Sequence, residues 1–148
     1  MLFVDTHILI RFHDSSDDLH SQAVSKVAQL HRNDEALVVA PQCIYELWSV
    51  LTRPRQKRGV GLTPSDANAI VQRLPQFFRL VPDPAGLFTE WLRLVNLHGV
   101  SGKESHDARL VAFMNLSAID KVVTFNGSDF ARYGTISVID PGDASLPQ

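Results

Sequence analysis

Leu2-Phe3-Val4-Asp5-Thr6 carries the pattern from which the architecture follows. Three apolar residues make a strand short enough to be wholly buried, and the chain then meets an acid and helix-compatible sequence from about Thr6. The apolar run recurs. Ala36-Leu37-Val38-Val39-Ala40 is a second buried strand, stopped by Pro41, and Phe77-Phe78-Arg79-Leu80-Val81 is a third. Val122-Val123-Thr124 and Ile136-Ser137-Val138-Ile139 are the fourth and fifth. Helical periodicity fills the gaps. From Asp17 to His31 the residues Leu19, Ala23, Val24, Val27, Ala28 and Leu30 recur at helical spacing. Ile44, Leu47, Trp48 and Leu51 stripe a helix over about Gln42–Thr52, which Pro54 ends. Thr63-Pro64 reads as an N-cap followed by proline at the first helical position, opening a helix to about Leu74. Further helices are expected over Ala85–Leu97 and, after a turn with two glycines from His98 to Lys103, over Glu104–Leu116. Strands alternating with helices predict an α/β domain whose mostly parallel sheet of four to five strands is covered on both faces. Ligands in such folds sit beyond the carboxyl ends of the strands, which is where Asp5 falls.

The 148 residues fit one domain, 1–148, with 141–148 as a C-terminal tail. A net charge of −2 excludes a basic glove for nucleic acid, so any such contact needs a local patch or bound cations. One cysteine, Cys43, cannot form an internal disulfide. No apolar run approaches a membrane span, and Met1-Leu2-Phe3-Val4 lacks the basic start of a signal peptide. Cytoplasmic residence without membrane contact is the expectation.

Four acids stand where acids are costly or clustered. Asp5 ends a buried strand, where it either caps the helix from Thr6 or serves a site. Asp107 precedes Leu110, Val111 and Met114 by three, four and seven residues, which continues their apolar stripe. A carboxylate on that side needs backbone N–H groups, a partner or a metal. Glu46 lies opposite its helix's stripe and faces either solvent or a groove. Asp129 closes Thr124-Phe125-Asn126-Gly127-Ser128-Asp129, a strand-end turn rich in oxygen ligands.

Together these segments resemble the PIN domain and, within it, the VapC-type toxin ribonucleases. The matching pieces are Val4-Asp5-Thr6, Glu46 in Tyr45-Glu46-Leu47-Trp48, Asp107 in His106-Asp107-Ala108-Arg109, and Thr124-x-Asn126-x-x-Asp129-Phe130. They occur in the family's order across almost the whole chain. The resemblance implies an α/β/α sandwich and a metal-dependent endoribonuclease. It further implies Mg²⁺ or Mn²⁺ held by Asp5, Glu46, Asp107 and an acid of the Thr124–Asp129 loop, an RNA substrate, a homodimer and a small antitoxin partner. This chain has His7 where the family often has asparagine, and Asn126 where some members have aspartate. Either Asp129 is then the fourth acid or Asn126 is a neutral ligand.

Hard divalent cations prefer oxygen ligands, so a cluster without histidine or cysteine points to Mg²⁺ or Mn²⁺ rather than zinc, and no pair among the six histidines has a zinc spacing. Two carboxylates about 4 Å apart repel by about 4 kcal/mol at an effective dielectric near 20, and a cation offsets this. Asp5 and Asp107 are the expected principal ligands. Glu46 binds through water or orients the attacking water, and Asp129 completes the set. Thr6, Thr124 and Asn126 support these groups by hydrogen bonds. Arg53, Arg55, Lys57 and Arg58, in a loop over Arg53–Gly61, form either a grip for RNA phosphates or a solvated charged turn. If they grip RNA, neutralising them weakens binding across sequences and flattens its salt dependence. Competing readings are a catalytically inactive PIN-like binding module and a metal-dependent phosphatase or DNA nuclease.

Overall fold

A computed structural model describes residues 1–144. Of the expected tail, residues 145–148 lie outside the described residues. Five strands, β1 (Leu2–Val4), β2 (Leu37–Val39), β3 (Arg79–Leu80), β4 (Lys121–Val123) and β5 (Ser137–Ile139), form one sheet in the order β3-β2-β1-β4-β5. Every pairing is parallel, with Leu2 opposite Leu37, Phe3 opposite Val122, Val38 opposite Arg79 and Val122 opposite Val138. The central strands are uniformly apolar because both of their faces are covered: β1, β2 and all of β4 but Lys121 are buried.

Among the described residues six helices flank this sheet: α1 (Thr6–His13), α2 (His20–Arg32), α3 (Pro41–Thr52), α4 (Pro64–Arg73), α5 (Leu87–Leu97) and α6 (Glu104–Leu116). From β1 the chain builds outward through β2 to β3, then crosses to β4 and builds the other way. Right-handed crossovers in opposite directions put helices on opposite faces. The contacts divide accordingly, with α1 touching α2 and α3, α3 touching α4, and α5 packing on α6. The core is continuous, from Phe3 against Phe113 of α6, ring centroids 5.7 Å apart, to Leu47 and Leu51 of α3.

Local chemistry explains where boundaries moved. Pro41 lies inside α3 as its first residue rather than ending β2 from outside, since proline lacks only an N–H that a first helical turn leaves unused. Thr63 caps α4 through its side chain, which accepts from Asp66 N at 3.2 Å. The third strand shrinks to two exposed residues. A turn over Leu74–Gln76 extends α4, and the amides of Phe77 and Phe78 both donate to Leu74 O instead of to a strand. Phe78 still enters the core, where its ring meets that of Phe12 at 5.5 Å.

The order β3-β2-β1-β4-β5 reverses between β1 and β4. In open α/β sheets the carboxyl ends of the strands beside such a reversal form a crevice. Asp5 follows β1 there and Thr124 follows β4.

Candidate active site

Asp5 is 4% exposed, and its backbone rather than its side chain begins α1. The Asp5 carbonyl accepts from the amides of Ile8 and Leu9, while the carboxylate makes no capping bond. The capping role open to Asp5 is therefore filled by its main chain, and the side chain is free for other work. Thr124, fully buried, donates its hydroxyl to Asp5 Oδ2 at 2.7 Å and accepts from Asn126 N at 3.0 Å. His7 Nδ1 lies 3.2 Å from the same Oδ2 and 3.1 Å from Asn126 Nδ2. One ring nitrogen thus stands between an acceptor and a donor, and the tautomer selects which it bonds. The hydrogen bond with Asp5 is the largest cause of a His7 pKa raised above its ordinary value, against the opposing effect of burial. Among the described residues Asp5 Oδ1 receives no hydrogen bond.

Glu46 is held on both oxygens. Thr6, at the start of α1, donates its hydroxyl to Oε2 at 2.7 Å. Gln42, one turn earlier on α3 and 7% exposed, donates from Nε2 to Oε1 at 2.8 Å. The same amide reaches His106 O on α6 at 3.0 Å, and Gln42 Oε1 accepts from Arg109 Nη1 at 3.0 Å. Arg109 spends its other arm on Asp83 at 2.8 Å. Glu46 therefore faces a groove lined by α1 and α6 and is not a freely solvated side chain. Sequence reasoning missed Gln42 and Arg109. The spacing of Gln42 and Glu46, four apart on one helix, was the available signal; nothing local links Arg109 to either.

Asp107 sits in the first turn of α6 and is half-buried. The core side of α6 begins one residue later, at Ala108, so Asp107 stands at the rim of the core rather than within it. Among the described residues no hydrogen bond reaches its carboxylate, which leaves it without the backbone N–H partners of a structural aspartate. Its pKa is pushed up to about 6, first by burial, then by the charges of Asp129, Asp5 and Glu46 in that order, with His7 opposing. The structure thus brings all four acids into one electrostatic neighbourhood. Asp129, exposed in a turn over Gly127–Phe130, is the carboxylate whose charge acts most strongly on Asp107, whereas Asn126 turns its amide towards His7.

The basic loop stands apart. At 1.5 Å per residue, Arg53 lies about 10 Å along α3 from Glu46, on the side leading away from the strand ends. Arg53 is half-buried, while Arg55, Lys57 and Arg58 are exposed. The loop is firmly built: Gly59 N donates to Pro54 O, Gly61 N to Arg53 O and Val60 N to Val50 O. A side chain at Gly59 would bring its Cβ to 1.9 Å from Arg53 O.

A model of the PIN domain family matches residues 2–136. The chain belongs to the PIN domain family. Solved structures share the fold over nearly the full length. Mycobacterium tuberculosis VapC20, described as a sarcin-ricin loop cleaving toxin, is 20% identical with a TM-score of 0.66, covering 90% of this chain and 95% of that one. VapBC2 from Rickettsia felis, bound to a promoter DNA fragment, is 12% identical with a TM-score of 0.70, covering 95% and 98%. A toxin-antitoxin complex from Klebsiella pneumoniae is 18% identical with a TM-score of 0.62, again covering 95% and 98%. At these identities the likeness speaks for the fold. No curated protein sequence matches the chain.

Whether the rim fits a metal depends on its donors. Among the described residues no three His, Cys, Asp or Glu side chains form a ready-made cage. The donor chemistry nevertheless fits a hard cation: the cluster offers carboxylate oxygens, and among the described residues Asp5 Oδ1 and Asp107 have no hydrogen bonds to give up.

Proposed function

We propose that this PIN domain is a Mg²⁺- or Mn²⁺-dependent endoribonuclease that hydrolyses RNA phosphodiester bonds, acting as the toxin of a toxin-antitoxin pair. The observation that carries the reading is the gathering of acids at one rim: the Asp107 carboxylate has no hydrogen bond among the described residues, and burial, then the charges of Asp129, Asp5 and Glu46, push its pKa up to about 6. A fold does not gather four carboxylates at a strand-end crevice for stability, and perturbed acids mark functional sites.

Asp5 and Asp107 would hold the metal, with Asp129 completing the acidic set. When bound, the ion supplies an activated water and charge stabilisation for in-line displacement at phosphorus. Thr124 fixes the direction of the Asp5 carboxylate through the bond to Oδ2. Glu46, held by Thr6 and Gln42, would bind the metal through water or orient the attacking water. Asn126 and His7 brace the Asp5 side of the site. Arg55, Lys57 and Arg58 contact phosphates flanking the cut, at a remove set by the length of α3. RNA as substrate and a small antitoxin as partner agree with the solved relatives, one of which cleaves the sarcin-ricin loop and others of which are complexes with antitoxins. A homodimer and a cytoplasmic location belong to the same proposal.

The test is cleavage of structured RNA, single-stranded RNA and DNA in Mg²⁺, Mn²⁺ or EDTA. RNA alone should be cut, only with metal, and Asp5→Asn and Asp107→Asn should each lower the rate roughly hundredfold or more. Cutting in EDTA, or variants as fast as the wild type, overturns the mechanism.

A further inference from the structure

Beyond Gln42, which holds Glu46, Arg109 leads to a cleft that the catalytic proposal leaves unused. Its volume is about 510 Å³, and Asp83, Pro84, Leu87, Phe88, Trp91 and Arg109 line it. It belongs to the same edge of the sheet, because Asp83 and Pro84 follow the carboxyl end of β3. The Arg109 guanidinium is common to both places, donating to Asp83 in the cleft wall and to Gln42, which holds Glu46.

The lining has a particular chemistry. Phe88 is 69% exposed, a large aromatic side chain with one face left to water. Its ring meets that of Trp91 at 5.9 Å and 33°, and Trp91 is fixed from behind by its Nε1 bond to Ser105 O at 2.8 Å. The charged groups of the wall, Asp83 and Arg109, are paired at 2.8 Å, so the cleft is close to neutral while keeping an acceptor and donors at its edge. A phosphate would meet Asp83 there, and a simple aliphatic group would waste the polar edge. A flat, neutral heteroaromatic ring with hydrogen-bonding edges suits both surfaces.

We infer that this cleft is a nucleobase subsite: it takes one unpaired base flanking the scissile phosphate, stacked on Phe88 beside Trp91. The inference rests on the ribonuclease reading for its substrate. Proteins that hold single-stranded nucleic acid stack its bases on aromatic side chains while cationic groups follow its backbone, and Phe88 beside Trp91 offers the first of these surfaces. Such stacking also selects for strands whose bases are already unpaired. The cleft then sets where along an RNA the cut falls, while the acids perform it.

The experiment uses the full chain with Trp48→Phe, which makes Trp91 the sole tryptophan. Its fluorescence is titrated with a single-stranded RNA octamer, and with the same octamer made abasic at each position in turn, with Ca²⁺ in place of Mg²⁺. The intact octamer should quench Trp91 saturably, and one abasic position should weaken binding roughly tenfold or more. Phe88→Ala should weaken the intact octamer equally and abolish the distinction between the two, while Phe88→Tyr keeps it. Equal quenching by every abasic octamer, or a Phe88→Ala protein with unchanged affinity, overturns the subsite. So does a Phe88→Ala protein altered only in its oligomeric state by light scattering, which would assign this face to a protein contact. The cleavage assay reads the other half separately. Quenching without RNA cleavage sinks the nuclease and keeps the subsite, whereas cleavage with Trp91 silent does the reverse.

Discussion

Asp5 and Asp107 reach the same rim in opposite circumstances. Asp5 is 4% exposed, yet the hydroxyl of Thr124 and the ring of His7 both lie against its Oδ2. Asp107 is more open to water, has no hydrogen bond among the described residues, and carries a pKa pushed up to about 6. Two partners hold the Asp5 carboxylate, whereas none among the described residues holds that of Asp107. The rim has a fixed side built on β1 and β4 and a poised side at the start of α6, with Glu46 fastened between them.

The largest change should come from removing the fixed side's principal donor. Thr124→Val keeps the shape but leaves a buried carboxylate oxygen and the Asn126 amide short of a partner. It should cost about 2–3 kcal/mol in urea unfolding. A loss under about 0.5 kcal/mol would show that Asp5 does not depend on Thr124. Next comes Gln42→Leu, which frees one oxygen of Glu46. Changing a residue that orients a ligand lowers metal affinity by roughly tenfold, so a Mn²⁺ titration should show that weakening. Unchanged affinity would make Gln42 a packing residue. The smallest effect has the opposite sign. A folded-state value of about 6 against an ordinary 3.8 means that the folded chain holds the Asp107 proton more tightly than the unfolded chain does. That contribution to stability is complete below about pH 3.8 and is lost as pH rises through about 6. Asp107→Asn should therefore stabilise the metal-free protein at pH 7.5 by about 1 kcal/mol after allowance for solvent screening. The advantage should vanish at pH 3.5, and equal melting midpoints at pH 7.5 would remove the poised side of the contrast.

Much of this was legible beforehand. Buried strands announce themselves as apolar runs, so β1, β2 and β4 lie where the sequence puts them, and Glu104–Leu116 is helical to the residue. The exposed edge strand β3 was overestimated, because Phe77 and Phe78 read as strand while their amides complete the end of a helix. The acids could be singled out because each breaks an apolar context or closes an oxygen-rich turn. Their supports were less visible. Gln42 is an ordinary helical glutamine until Arg109 and His106, more than sixty positions away in sequence, arrive beside it. The basic loop looked adjacent to Glu46 in sequence, but the rise of α3 separates them.

The bond between Thr124 and Asp5 spans a sequence separation of 119 residues. Chains grow from the amino terminus and fold as they emerge. The acid that comes first must therefore wait for almost the entire polypeptide before its orienting partner exists. A truncated or half-made copy carries isolated aspartates but not the assembled rim. The rim therefore exists only once β4 has joined β1 in the sheet.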